Sequence, residues 1–135
     1  MLKKIYLMIL NLLLVLSYIW QNTSFRHSIS RVEKAQRDLL LRILSNNKKT
    51  EFGIKHNFSS IKDVSDYKKI VATSTYESYS QYINLIKKGR KNILTKEDVL
   101  LLEPTSGSTT ASKYIPYTRG LKKEFQNGIA PWIFD

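Results

Sequence analysis

The sequence predicts an α/β fold that is helix-rich, with a few strands in an incomplete sheet. Three observations carry that expectation. Apolar residues recur at three- and four-residue spacing through most of the N-terminal two thirds, the period of helices with one buried face. Val99-Leu-Leu-Leu102 and Lys113-Tyr-Ile-Pro-Tyr117 are short extended pieces. A Gly/Ser/Thr-rich loop connects those two pieces without an intervening helix pattern.

The first element is Ile5 to Trp20, a nearly unbroken apolar run of 16 residues behind Lys3-Lys4. It is short for a bilayer span, holds Asn11, Ser17, Tyr6 and Tyr18, and precedes no small-x-small cleavage site. The first reading is a buried or interfacial helix, and the alternative is a membrane anchor through residues 5–20. Lysines ahead of the run argue for an N-terminus held inside and a remainder placed outside.

Ser28 or Ser30 is the expected cap of the next helix. Ile29, Val32, Gln36, Leu39, Leu40, Ile43 and Leu44 form its apolar stripe, and Ser45-Asn-Asn47 its end. In Thr50-Glu-Phe-Gly-Ile-Lys-His-Asn-Phe58, Phe52 and Phe58 are expected to anchor a loop on the core, with His56 packed beside them. Ser60 to Ile70 has a short helical pattern. Ser74-Thr-Tyr-Glu77 fits a capping box opening a helix through Tyr79, Tyr82, Ile83 and Ile86. Tyr76, Tyr79 and Tyr82 are read as packing residues. Gly89 fits the residue just past that helix, after Lys87-Lys88. Val99–Leu102 reads as a fully buried strand. Thr118 is the expected cap of a helix that ends at Asn127-Gly128, before the apolar Ile129–Phe134.

Composition narrows the function. The 135 residues allow one domain with one core, and 42% hydrophobic residues exclude a disordered composition. Absence of cysteine excludes a disulfide scaffold and thiolate metal sites, and fits a reducing compartment. Only His27 and His56 are present, which leaves little for a metal site. The formal charge of +11 raises nucleic acid or an anionic membrane as a partner. The basic residues come in scattered pairs such as Lys48-Lys49 and Lys122-Lys123, a solvated surface rather than a basic arm, so no specific nucleic acid is expected.

The chemistry concentrates in Glu103-Pro-Thr-Ser-Gly-Ser-Thr-Thr-Ala-Ser-Lys113. A loop that binds a polyanion needs backbone amides able to point inward, small side chains, hydroxyl donors and a nearby cation. Thr105 to Thr110 supplies five hydroxyls and one glycine in six positions, and Lys113 supplies the charge. No Gly-Lys-[Ser/Thr] closes it, so it is not a Walker loop, and one glycine does not make a dinucleotide fingerprint.

Thr105-Ser-Gly-Ser-Thr with Lys113 resembles the signature loop of adenylate-forming enzymes, whose usual form is Thr-Ser-Gly-Ser/Thr-Thr-Gly-x-Pro-Lys. Thr110 stands here at the second glycine and Ser112 at the proline. The flanks resemble one branch, the auxin-responsive Gretchen-Hagen-type family of acyl acid–amido synthetases. The resemblance rests on Thr50–Phe58, on Tyr67, Ile70-Val71, Tyr76-Glu77 and Tyr82-Ile83 in order, and on Lys113, Pro116 and Thr118. Ala72 replaces a usual proline.

The resemblance implies the N-terminal part of an adenylate-forming fold over residues 26–135, behind an apolar helix over residues 1–25. It implies ATP with Mg²⁺, a carboxylic acid and an amino acid as reactants: an acyl-adenylate forms first, then an amide. It places Thr105, Ser106, Gly107, Ser108, Thr109 and Lys113 at the ATP phosphates. The enzymes of that family are several times longer. The expectation is therefore a fragment, truncated product or partial record that is cytoplasmic and catalytically incomplete alone, with Trp132, Ile133 and Phe134 lacking partners.

Overall fold

The computed structural model describes residues 2–105 and 113–134. It is helix-rich with one small sheet, as expected: helices α1 (Leu2–Ile29), α2 (Val32–Asn47), α3 (Glu51–Lys55), α4 (Val64–Ile70) and α5 (Ser80–Lys87), strands β1 (Val99–Pro104) and β2 (Tyr114–Thr118), and helix α6 (Arg119–Phe134). Short 3-10 turns occupy Phe58–Ser60 and Tyr76–Tyr79. The chain divides into two compact units, residues 34–121 and residues 1–33 with 122–135.

In the larger unit, two apolar clusters meet at one side chain. Leu44, Phe58 and Ile61 form the first, with Leu40 and Leu41 of α2 against it. Tyr82, Ile86 and Ile93 form the second, with Val99 and Leu102 of β1 against it. Phe52 packs on both. Its ring lies edge-on to Phe58 at 5.8 Å and to Tyr82 at 5.5 Å, arrangements that aromatic quadrupoles favour. His56 stacks on Phe52 at 4.1 Å, the packing role expected of it.

The segment that carries Phe52 is a short helix rather than the expected loop. Thr50 is fully buried and its hydroxyl oxygen accepts from the Gly53 amide. The Glu51 and Phe52 amides donate to the carbonyls of Asn92 and Ile93. With the Thr50 amide donating to the Asn47 carbonyl, all four N–H groups that an isolated helix start leaves open are satisfied, which lets five residues hold a helix. Gly53 is required by closeness: a Cβ there would stand 2.1 Å from the Asn47 carbonyl oxygen.

α5 ends as its sequence indicates. Gly89 has φ +79°, its amide donates to Ile86, and the Arg90 amide donates to Leu85, the paired bonds of a Schellman cap. α6 also starts as expected, the Thr118 hydroxyl oxygen accepting from the Leu121 amide.

Other local expectations are corrected. The Ser28 and Ser30 hydroxyls donate back to the carbonyls of Ser24 and His27, within α1 and its final turn. The α2 stripe that packs is Leu40, Leu41 and Leu44, while Leu39 and Ile43 are exposed. Ser74 does not cap a helix: its hydroxyl donates to the Tyr79 hydroxyl, and a 3-10 turn intervenes before α5. α4 starts only at Val64, capped by Asp63, whose carboxylate accepts from the Asp66 amide. β1 is not buried, with Leu100 51% and Leu101 48% exposed, because its sheet has a single partner strand. α6 continues past Asn127-Gly128 and through Pro131. A glycine costs a helix interior only about 1 kcal/mol, too little to set a helix end by itself, and a proline about 3.

In the smaller unit, α1 carries the apolar run far beyond its predicted end. The helix has 28 residues, and the long apolar side chains from Ile5 to Leu16 stand exposed. The chain does not bury this helix, which removes the buried half of the first reading and leaves the interfacial helix and the membrane anchor. Trp132 near the end of α6 is 83% exposed, in line with its expected lack of a partner.

Candidate functional site

The strands that flank the glycine- and hydroxyl-rich segment, β1 and β2, form a β-hairpin. β1 and β2 pair antiparallel with Pro104 opposite Tyr114 and Glu103 opposite Ile115. The Thr105 amide donates to the Lys113 carbonyl at 2.8 Å, one further rung that closes the base of the loop. Of the predicted phosphate-contacting residues, Thr105 and Lys113 are therefore brought face to face. Ser106, Gly107, Ser108 and Thr109 lie outside the described residues.

Tyr76 fixes the hairpin at this point. Its hydroxyl accepts from the Tyr114 amide at 2.7 Å and donates to the Tyr114 carbonyl at 3.3 Å. The 3-10 turn Tyr76–Tyr79 thus holds the first residue of β2, beside Lys113. The packing reading fits buried Tyr82 and Phe52-stacked Tyr79, but Tyr76 acts through its hydroxyl.

Two cations gather at the base. Lys113 Nζ stands 5.5 Å from the Tyr76 ring centroid and 4.0 Å from Glu77 Oε1. Lys87, on the last turn of α5, puts its Nζ 3.6 Å from the Tyr114 ring centroid. Cations over aromatic faces gain about 0.5–1 kcal/mol at exposed sites. The Lys113 side chain is half exposed and its Glu77 partner more so, at 72%. A pair this open contributes about 0–1 kcal/mol and leaves the ammonium available to a stronger anion.

Electrostatics around Glu77 support that. Its carboxyl is held below the usual range first by the Thr75 hydroxyl, then by its own backbone N–H, and only lastly by the Lys113 charge. Glu77 is thus mainly engaged with its own turn.

Glu97 organises the far end of β2. Its Oε2 accepts from the Gly120 amide at 2.9 Å, at the start of α6. The Thr118 hydroxyl first, and then that amide, hold its carboxyl below the ordinary value of 4.5. A carboxylate at a helix N-terminus also faces the positive end of the helix dipole.

No group of three or more His, Cys, Asp or Glu among the described residues forms a metal cluster. The Thr105 and Tyr114 amides and the Tyr76 hydroxyl are spent within the hairpin base, which leaves the Lys113 and Lys87 ammonium groups as the donors that face an anion there. Sequence reasoning included Lys113 but missed Lys87 and the Tyr76 hydroxyl. Lys87 was visible only as a helix-end cation, and its placement over Tyr114 depends on the packing of α5 beside β2.

A scan against protein-family models matches residues 21–135 to the GH3 family N-terminal domain. No curated protein and no solved structure gave a significant match. The family match covers most of the chain and includes the hairpin, the Phe52 clusters and the Tyr76 turn. The chain belongs to the GH3 family of acyl acid–amido synthetases and carries its N-terminal domain.

Proposed function

We propose that this chain supplies the phosphate-holding part of an ATP-dependent ligase that joins a carboxylic acid to an amino acid. The observation that carries the reading is the closed hairpin base, which sets Thr105 and Lys113 at the two ends of a hydroxyl-rich loop. In the first step the acid's carboxylate attacks the α-phosphorus of ATP and the bond to pyrophosphate breaks. In the second the amine attacks the acyl carbon and AMP leaves.

The role assigned to this chain belongs to the first step. Hydroxyls of Thr105, Ser106, Ser108 and Thr109, and amides around Gly107, donate to the departing phosphates. Lys113 offsets their charge. Mg²⁺ would arrive on the nucleotide and neutralise phosphate charge, since such ions are commonly held by substrate phosphates with one or two carboxylates. The acid and amine sites are assigned to other parts of the enzyme, so the chain alone binds nucleotide without completing amide formation. The reading places it in the cytoplasm, where ATP is.

Two measurements on the full chain in mild detergent test this. Calorimetry with ATP and with adenosine should give binding for ATP only. Exchange of labelled pyrophosphate into ATP, with mixed carboxylic acids present, should stay at background. Equal binding of adenosine and ATP would remove the phosphate-loop assignment, and robust exchange would refute the incompleteness of the chain.

A further inference from the structure

We infer that α1 spans a lipid bilayer and tethers the GH3 domain to the cytoplasmic face of a membrane, with Met1 on the opposite side. The inference stands on α1 itself and does not depend on the reading of the hairpin loop.

Four observations favour a lipid occupant over a protein one. First, the helix is longer than the apolar run. No charged residue lies between Lys4 and Arg26, and 22 helical steps of 1.5 Å separate them by about 33 Å, close to the hydrocarbon thickness of about 30 Å. Second, the exposed apolar side chains occupy every side of the helix: Met8, Ile9, Leu10, Leu12, Leu13 and Leu14 cover more than a full turn. A helix lying in the interface would instead show one apolar and one charged face. Third, aromatic side chains flank the run, with Tyr6 towards one end and Tyr18, Trp20 and Phe25 towards the other. Lys3, Lys4 and Arg26 lie just beyond, placed to meet lipid phosphates. Fourth, the family domain begins at residue 21, directly after Trp20, so the apolar run lies outside the part matched to the enzyme family.

Two hydroxyls of the span bond back to the helix backbone as a bilayer favours, while the Gln21 side-chain oxygen near its cytoplasmic end has no partner among the described residues. The Ser17 hydroxyl donates to the Leu14 carbonyl, and the Thr23 hydroxyl to the Ile19 carbonyl. Asn11 is the one amide deep in the run.

Charge sets the direction. Within about 20 residues beyond Trp20 lie Arg26, Arg31, Lys34 and Arg37, against Lys3 and Lys4 on the other side. The larger basic cluster stays in the cytoplasm, so the domain stays there too. Reading Lys3-Lys4 alone gives the opposite orientation, which would separate the domain from ATP.

The absence of cysteine makes the test direct. The full chain is expressed in bacteria, and membranes are extracted with alkaline carbonate. Single-cysteine variants Leu2→Cys and Lys69→Cys are exposed to a membrane-impermeant maleimide in spheroplasts. The chain should stay in the carbonate pellet at full length, Leu2→Cys should label in intact spheroplasts, and Lys69→Cys only after lysis. Leu13→Arg, at the centre of the run, should move most of the chain out of that pellet. Release by salt or carbonate would overturn the proposal, as would a product shortened at the N-terminus by a signal peptidase. So would a soluble oligomer that hides α1 between copies, reversed labelling, or a Leu13→Arg variant that stays in the pellet.

Discussion

The Tyr76 hydroxyl and the Tyr114 backbone form a two-way hydrogen bond, 2.7 Å from the amide and 3.3 Å to the carbonyl. It joins two segments 38 residues apart at the point where the candidate phosphate loop returns to the sheet. Both backbone hydrogen-bonding groups of Tyr114 are thus held by one side-chain hydroxyl.

Replacing Tyr76 by Phe keeps the ring under Lys113 and removes only the hydroxyl. The part-buried Tyr114 amide then loses its acceptor, a loss of about 1–2 kcal/mol. Urea denaturation should show that decrease. Hydrogen exchange should show faster exchange at Tyr114, with the Phe52 clusters unchanged. Unaltered exchange at Tyr114 would mean the hairpin base does not depend on this bond.

Glu97 gives a pH dependence with a definite sign. Its carboxyl is held below the ordinary 4.5, so its contribution is present above that pH and is lost as pH falls through the folded value. Glu97→Gln should lower stability at neutral pH by about 0.5 kcal/mol, the lower range for a solvent-exposed carboxylate at a helix start. It should also flatten the stability curve below about pH 4.5 relative to the parent. Asp98, held down chiefly by its hydrogen bond from Lys91, titrates in the same sense and persists in both proteins. The comparison of the two curves isolates Glu97.

Two glycines should respond to alanine in opposite directions. Gly53→Ala forces a Cβ against the Asn47 carbonyl and should cost about 1–3 kcal/mol. Gly128→Ala meets open space inside α6 and should gain about 0.5–1 kcal/mol. Thermal unfolding of both variants checks the pair.

These residues also show which features the sequence carried on its face. Gly89 and Thr118 were readable because a Schellman cap and a hydroxyl N-cap are decided within a few residues. The hairpin strands were readable from apolar runs on either side of a turn-rich loop. Ser74-Thr-Tyr-Glu77 matched a capping box, yet Ser74 bonds to the Tyr79 hydroxyl and Glu77 to Thr75, so the pattern served a different turn. The exposure of Leu100 and Leu101 was not readable, because burial of a strand depends on what covers its faces. Helix α3 was hidden for a similar reason: its open amides are satisfied by Asn92 and Ile93, some forty residues away. In the candidate site, Lys113 was legible from its spacing, whereas Lys87 entered only through the packing of α5 against β2.

The central claim is that Lys113 and the loop it closes recognise phosphate charge. The direct measurement is calorimetric affinity of the full chain, in mild detergent, for ATP, ADP, AMP and adenosine, repeated with Lys113→Gln. The account predicts affinity that falls with each phosphate removed and a loss of roughly tenfold for ATP in the variant, the equivalent of one charge-assisted hydrogen bond at about 1.4 kcal/mol. It also predicts no change of thermal stability in the variant beyond a few tenths of a kcal/mol, since the Glu77 pair is exposed. Affinity indifferent to phosphate number, or an unchanged ATP affinity in Lys113→Gln, would contradict it.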